Sequence, residues 1–222
     1  MATTLLPNIV LACFASLLIM HLASGKPANP TEGFTELLVH SSNFHHDKPY
    51  NLPLSQRYSF KDGVHRLWVY STDKPLGKGS PTKPRSEIHI KGYDYSSGVH
   101  QFEGYFYVPS HHGTSGVCIM QIFGASPPHA STLMLRVYNG KLYYYRSGKP
   151  LLENIYDKWF RLNVIHYVDA SKVHVYIDGV KKLEADGRGG TNHFYKFGVY
   201  AQEGASHYME SRWKGIKIFK MK

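Results

Sequence analysis

Thr132-Leu133-Met134-Leu135-Arg136-Val137-Tyr138-Asn139-Gly140-Lys141-Leu142-Tyr143-Tyr144-Tyr145-Arg146 decides the fold class. Two runs of alternating apolar and polar side chains flank an Asn-Gly pair. Period-two alternation is the pattern of a half-buried strand, and Asn-Gly tolerates the positive φ angles of a tight hairpin turn. The stretch therefore reads as a β-hairpin. Asp178-Gly179 is a second turn signal of the same kind. Working outward, alternating runs bounded by Gly, Pro, Asn and Asp recur at 57–60, 64–70, 85–90, 100–108, 117–123, 159–167, 172–177, 194–202 and 213–220. No stretch holds a 3.6-residue period. Many short strands with frequent turns predict an all-β, two-sheet sandwich or jelly roll.

Composition agrees. The chain has 222 residues, is 42% hydrophobic and carries a net charge of +10 with histidine neutral. That is enough apolar material for a packed core, and it excludes a disordered, collagen-like or coiled-coil chain. The two cysteines exclude a disulfide-stapled scaffold and a cysteine-built zinc site. Residues 1–25 carry no Lys, Arg, Asp or Glu, are apolar from Ile9 to Met20, and end in Ala23-Ser24-Gly25. This reads as a secretory signal peptide cut before Lys26, too short in its apolar run to span a bilayer. Residues 26–32 read as an N-terminal arm and 33–222 as one domain. Cys118, inside Val117-Cys118-Ile119-Met120, reads as a buried core residue.

A basic chain favours anionic partners, and histidines charging in an acidic secretory compartment or vacuole would add to the +10. The cations are spread along the chain with no reader motif, so nucleic acid is not expected, and no basic amphipathic helix suits a membrane surface. His45-His46 and His111-His112 are adjacent pairs without a third ligand at useful spacing, so neither metal nor cofactor is expected. The chain is read as a monomer.

Alternation also assigns faces. In Arg85-Ser86-Glu87-Ile88-His89-Ile90, the side chains of Arg85, Glu87 and His89 share one face, with Ile88 and Ile90 toward the core. A charged edge strand would explain that face equally well. Phe194, Lys196, Tyr200 and Gln202 share a face of the 194–202 run, and Gly198 between them would leave room for a ligand. Gln121, beside Phe123 in an otherwise apolar strand, requires a polar partner. Tyr138, Tyr143 and Tyr145 with Arg136 add an aromatic and cationic surface, mostly readable as ordinary cross-strand pairing. Arg and Lys with amide donors suit a carboxylate, and a phenol beside a cation can move a proton. The constellation fits an organic acid or a uronic-acid sugar.

Arg85-Ser86-Glu87-Ile88-His89, Gln121-Ile122-Phe123 and Phe194-Tyr195-Lys196-Phe197-Gly198-Val199-Tyr200-Ala201-Gln202 resemble, in order and rough spacing, the three motifs of the alginate-lyase-2 superfamily. From about residue 31 onward the chain is also similar to its plant citrate-binding branch, through Arg57-Tyr58-Ser59-Phe60-Lys61-Asp62-Gly63-Val64-His65, Tyr93-Asp94-Tyr95-Ser96-Ser97-Gly98-Val99 and His207-Tyr208-Met209-Glu210-Ser211-Arg212-Trp213. The resemblance implies a concave jelly roll whose motif strands line a groove. It implies a ligand-binding set of Arg85, Glu87, His89, Gln121, Lys196, Tyr200 and Gln202. In a lyase, Arg85 and Gln121 would hold the uronate carboxylate, stabilising the charge that develops as its α-proton leaves, and Tyr200 would move the proton. Two departures stand out. The motif histidine is Phe123, and the second motif arginine is His89. Three readings follow: a citrate or other small-carboxylate binder, a polyuronate lyase cleaving by β-elimination, or a lectin-like binder of acidic polysaccharide. The compartment expected is the vacuole lumen or the cell exterior.

Overall fold

A computed structural model describes residues 29–222, so the expected signal peptide and the first residues of the arm lie outside the described residues. Fourteen strands follow in order: β1 (Phe34–Leu37), β2 (Phe44–Asp47), β3 (Tyr58–Lys61), β4 (Val64–Tyr70), β5 (Arg85–Ile90), β6 (Val99–Tyr107), β7 (Val117–Phe123), β8 (Ser131–Tyr138), β9 (Lys141–Tyr144), β10 (Trp159–Tyr167), β11 (Lys172–Ile177), β12 (Val180–Asp186), β13 (Phe194–Ala201) and β14 (Tyr208–Met221). They form two antiparallel sheets. The larger runs β12-β11-β10-β6-β14-β4-β3, with β1 also paired to β14. The smaller runs β2-β5-β13-β7-β8-β9. The expected all-β jelly-roll sandwich, a single domain, is what forms.

The anchor hairpin is β8-β9, with Tyr138 opposite Lys141 and Asn139 and Gly140 both at positive φ. Its second arm is shorter than the alternation predicts. Tyr145 takes a positive φ and leaves the ladder. Strands β1, β2 and β12 are not signalled by the sequence pattern, because two are four residues long and β12 is polar on most of its length. The β2 strand has a consequence. It covers β5, so the Arg85–Glu87–His89 row lies inside a sheet, and the edge-strand explanation of that row fails. The adjacent His45 and His46 lie on β2 and diverge, one toward His89 and the other onto Tyr58.

The inward faces of the sheets meet in one core. Trp213 on β14 is fully buried among Phe102, Phe106 and Phe197, with ring centroids 5.5–5.9 Å apart. Its indole N–H donates to Ser211 Oγ at 3.0 Å, and that hydroxyl donates on to the Gly198 carbonyl at 2.6 Å, so a short polar relay crosses from one sheet to the other. Gly198 sits at a β13 bulge with φ +138°, and a Cβ there would lie 2.3 Å from the Ser86 carbonyl oxygen. The glycine is required by this close backbone approach. It does not open space for a ligand, as the alternation suggests.

Burial also changes the charge expectation. His46, His65, His89, His100, His166, His174 and His193 all fall below the ordinary imidazole pKa, in each case chiefly because burial disfavours the charged ring. His65 falls to about 4, helped by neighbouring His46, and His166 to about 3, helped by His193 and His100. His65 and His166 thus stay neutral in moderate acid and the other five are pushed the same way, contrary to the uniform charging expected from sequence. Since the unfolded chain binds these protons near pH 6.5 and the folded one does not, stability falls as pH drops from 6.5 toward 4. The loss is bounded at roughly 3–5 kcal/mol for each of the two. Thermal melts across that range are expected to show a falling midpoint that recovers in part in a His166→Gln variant; a flat midpoint would contradict the neutral histidines.

Candidate functional site: an arginine-lined pocket on the six-stranded sheet

The three motif strands are neighbours, with β13 central, β5 on one side and β7 on the other. Register brings Tyr200 opposite Arg85, Gly198 opposite Glu87, and Lys196 between His89 and Gln121. Their outward face and the loops beside it enclose a cavity of about 330 Å³ lined by Arg85, Gln121, Ser131, Arg136, Arg188 and Tyr200, among others. Its wall includes Phe123, His129, Tyr145 and Gln202 and contains no carboxylate.

Glu87 organises the floor. It is 1% exposed and accepts from Arg85 Nη1 at 3.2 Å and from Gln121 Nε2 at 2.6 Å. Gln121 Oε1 in turn accepts from Ser131 Oγ at 2.7 Å. The expected polar partner of Gln121 is therefore internal, and Glu87 positions its neighbours from beneath the cavity. It does not line the pocket, as the ligand-binding set expects. The Arg85 guanidinium lies 3.7 Å from the centroid of the Tyr200 ring, close enough for a cation–π contact. Its Nε is buried without a hydrogen-bond partner. Gln202 spends its amide on the Tyr200 and Ala201 carbonyls.

Two expected cations contribute little. Lys196 Nζ donates to Asp47 Oδ2 at 2.5 Å, both groups buried, so the pair is neutral overall. His89 is shifted toward its neutral form by burial and then by Lys196, and it stacks on Phe194 at 3.9 Å. Phe123 extends that stack, 5.0 Å from Phe194. Lys196 and His89 thus belong to an aromatic, charge-compensated stretch beside the pocket.

The pocket's other charge comes from outside the motifs. Arg136 on β8 has a buried, unpartnered Nε and donates through Nη2 to Met134 Sδ at 3.1 Å. Arg188 follows β12. Its N–H donates to Thr132 Oγ1 and its carbonyl accepts from Ser126 N–H. The loop fits there because Gly124 and Gly190 are at positive φ with backbones too close for any Cβ. Arg136 and Arg188 flank the Tyr145 ring at 5.0 and 4.1 Å. Burial pushes that phenol up to about 12, so it stays protonated. Of the aromatic and cationic hairpin surface, Arg136 and Tyr145 are therefore part of the site, while Tyr138 and Tyr143 pair with one another away from it. His129, from the β7–β8 loop, is 3.5 Å from Arg188. The Arg188-Gly189-Gly190 turn was the one available signal for Arg188; His129 had none. Cys118 is buried as expected, and burial pushes its thiol pKa well up, leaving it unreactive. Among the described residues no group of three or more His, Cys, Asp or Glu side chains is arranged to hold a metal.

The fold and this motif set define a protein of the alginate lyase family. Residues 38–220 match that family's model, and the chain belongs to the family. It is 52% identical over 211 residues to the citrate-binding protein of Hevea brasiliensis, an alignment covering 93% of this chain and 87% of that one. Solved structures share the fold. Alginate lyase AlgAT5 of polysaccharide lyase family 7 superposes with a TM-score of 0.62 at 18% identity, over 82% of this chain and 98% of that one. The alginate lyase from Corynebacterium sp. gives 0.61 at 16%, over 75% and 82%.

Removing the Glu87 charge leaves the buried Arg85 uncompensated. Glu87→Gln is expected to lower stability by about 3–5 kcal/mol, read as a reduced midpoint in urea unfolding; a loss within error of zero would show that Glu87 does not organise the floor.

Proposed function

We propose that this protein binds a small polycarboxylate, with citrate the first candidate, in the Arg85–Arg136–Arg188 pocket. One observation carries the reading: three guanidinium groups from three separate strands and loops converge on a cavity of about 330 Å³ whose lining holds no acid. Two of them keep a buried Nε without a partner. A guanidinium presents paired N–H donors that match a carboxylate in two parallel bonds. Three such forks around one small cavity favour a ligand with several carboxylates over a single one. The name of the Hevea brasiliensis relative supports the same class of ligand. The apolar leader at 1–25 supports delivery through the secretory pathway, to the vacuole lumen or the cell exterior.

A second reading rests on Arg85, Gln121 and Tyr200, which meet in this pocket as a polyuronate lyase would require. Arg85 and Gln121 would neutralise the uronate carboxylate and Tyr200 would move the proton. Phe123 cannot exchange a proton at the motif histidine position, and His129 on the same wall is the imidazole nearest to replacing it. The lectin-like alternative uses the same groove without turnover.

Calorimetric titration with citrate at neutral pH is expected to give one site. Arg136→Gln and Arg188→Gln are each expected to weaken it by at least about tenfold, whereas Lys196→Gln should change it far less. No citrate binding by folded protein would overturn the reading. Incubation with a polyuronate panel, followed by ultraviolet absorbance of the unsaturated product end, separates the second reading: a rise that vanishes in Tyr200→Phe would establish β-elimination.

A further inference from the structure

The outer face of the eight-stranded sheet, on the opposite side of the molecule from the arginine pocket, carries its own ordered row. Register places Arg66 (β4) opposite Arg212 (β14), Arg212 opposite Tyr107 (β6), and Tyr107 opposite Trp159 (β10). Trp68 and Lys214 stand beside this row on the same face. The rings and cations are paired throughout. Arg66 lies 4.9 Å from the Trp68 ring centroid, Arg212 5.3 Å from that of Tyr107, and Lys214 4.4 Å from that of Trp159.

Two arginines directly opposite one another on neighbouring strands repel. Here a single carboxylate holds both from below. Glu210 is 2% exposed and accepts from Arg66 Nη2 at 2.8 Å and Arg212 Nε at 2.6 Å. The guanidinium groups remain open to solvent above it. Beside them is a recess of about 280 Å³ lined by Ser59, Lys61, Val64, Arg66 and Arg212, again without an acid. Asp157, beside the row, is taken by the Tyr107 hydroxyl and the Ser110 N–H. The other end of the same face is closed by the N-terminal arm, where the Pro30 carbonyl accepts from Gln101. The aromatic and cationic end is left uncovered among the described residues.

We propose that this outer face is a second binding site, and that it takes an acidic polysaccharide lying across the strands. Successive strands are about 4.8 Å apart, comparable with one sugar residue. A chain crossing them would meet the two arginines and then the two rings, with Trp68 and Lys214 beside the row. Carboxylates would contact Arg66, Arg212 and Lys214, while the apolar faces of the sugar rings would stack on Trp68, Tyr107 and Trp159. The surplus of cations over available acids supplies the charge complementarity, and a row that runs across four strands gives length for a polymer. The site is independent of the pocket assigned to small carboxylates, because no residue is shared.

The test is affinity electrophoresis of the full chain in native gels containing polygalacturonate, with dextran as the neutral control. Polygalacturonate should retard the protein and dextran should not. The Trp68→Ala/Trp159→Ala double variant should weaken retardation by about tenfold or more, and the change Lys214→Gln, at an exposed position, should weaken it with little risk to folding, which circular dichroism would verify for both. Arg136→Gln/Arg188→Gln, in the opposite pocket and breaking no ion pair, should leave retardation intact, with folding verified in the same way. The proposal is overturned by unchanged retardation in the outer-face variants, by loss of retardation in the pocket variant, by equal retardation in dextran, or by none at all. Cosedimentation with phosphatidylserine vesicles without polygalacturonate retardation would also overturn it, in favour of a membrane surface. Because citrate titration reads the pocket alone, failure there leaves this result independent.

Discussion

Glu87 carries the strongest local constraint in the structure. It is a carboxylate on an interior strand with almost no solvent, where an unpaired charge would cost several kcal/mol. It is met by a donor two residues away on its own strand, Arg85 on β5, and folding brings a second from a strand that does not pair with β5, Gln121 on β7. The strand between them, β13, passes over Glu87 at a glycine, and its bulged backbone is tied across the core to Ser211. The motif residues are thus arranged by an ion network that lies beneath the pocket and is part of the fold.

The same logic decides where the pocket's charge resides. A buried cation is matched by a buried anion wherever the fold can supply one, as Lys196 is by Asp47. A buried imidazole, as at His89, is pushed toward its neutral form instead. What is left to a ligand is the guanidinium groups of Arg136 and Arg188, which have no carboxylate partner, with that of Arg85 shared between Glu87 beneath and the cavity. The kinship with alginate lyases is visible in the strand frame. The position where those motifs carry histidine is here part of an aromatic stack with Phe194 and His89.

Strand alternation made most of the fold legible, because strands with one buried face write their period into the sequence. It was silent for β2, whose four residues Phe44-His45-His46-Asp47 alternate too briefly to be distinguished from a loop. That one omission hid Asp47, and with it the neutralisation of Lys196. Arg188 was hidden for a different reason. Its place depends on two loops meeting backbone to backbone at Gly124 and Gly190, a tertiary contact with no local period. Gly198 shows the converse error: small size was read as space for a ligand, whereas the space is filled by the Ser86 carbonyl of the neighbouring strand.

The choice of arginine also fixes how the pocket behaves as its surroundings acidify. Guanidinium groups keep their proton throughout the physiological range, the Tyr145 phenol stays neutral, and Lys196 and Asp47 compensate one another. For the polycarboxylate proposed as its ligand, the receptor side of the interaction would be almost constant as the surroundings acidify. A polycarboxylic acid is not constant, since it loses negative charge stepwise over that interval. Retention and release would then be governed by the ionisation of the guest, and the protein would act as a fixed positive template that discriminates one protonation state of its ligand from another.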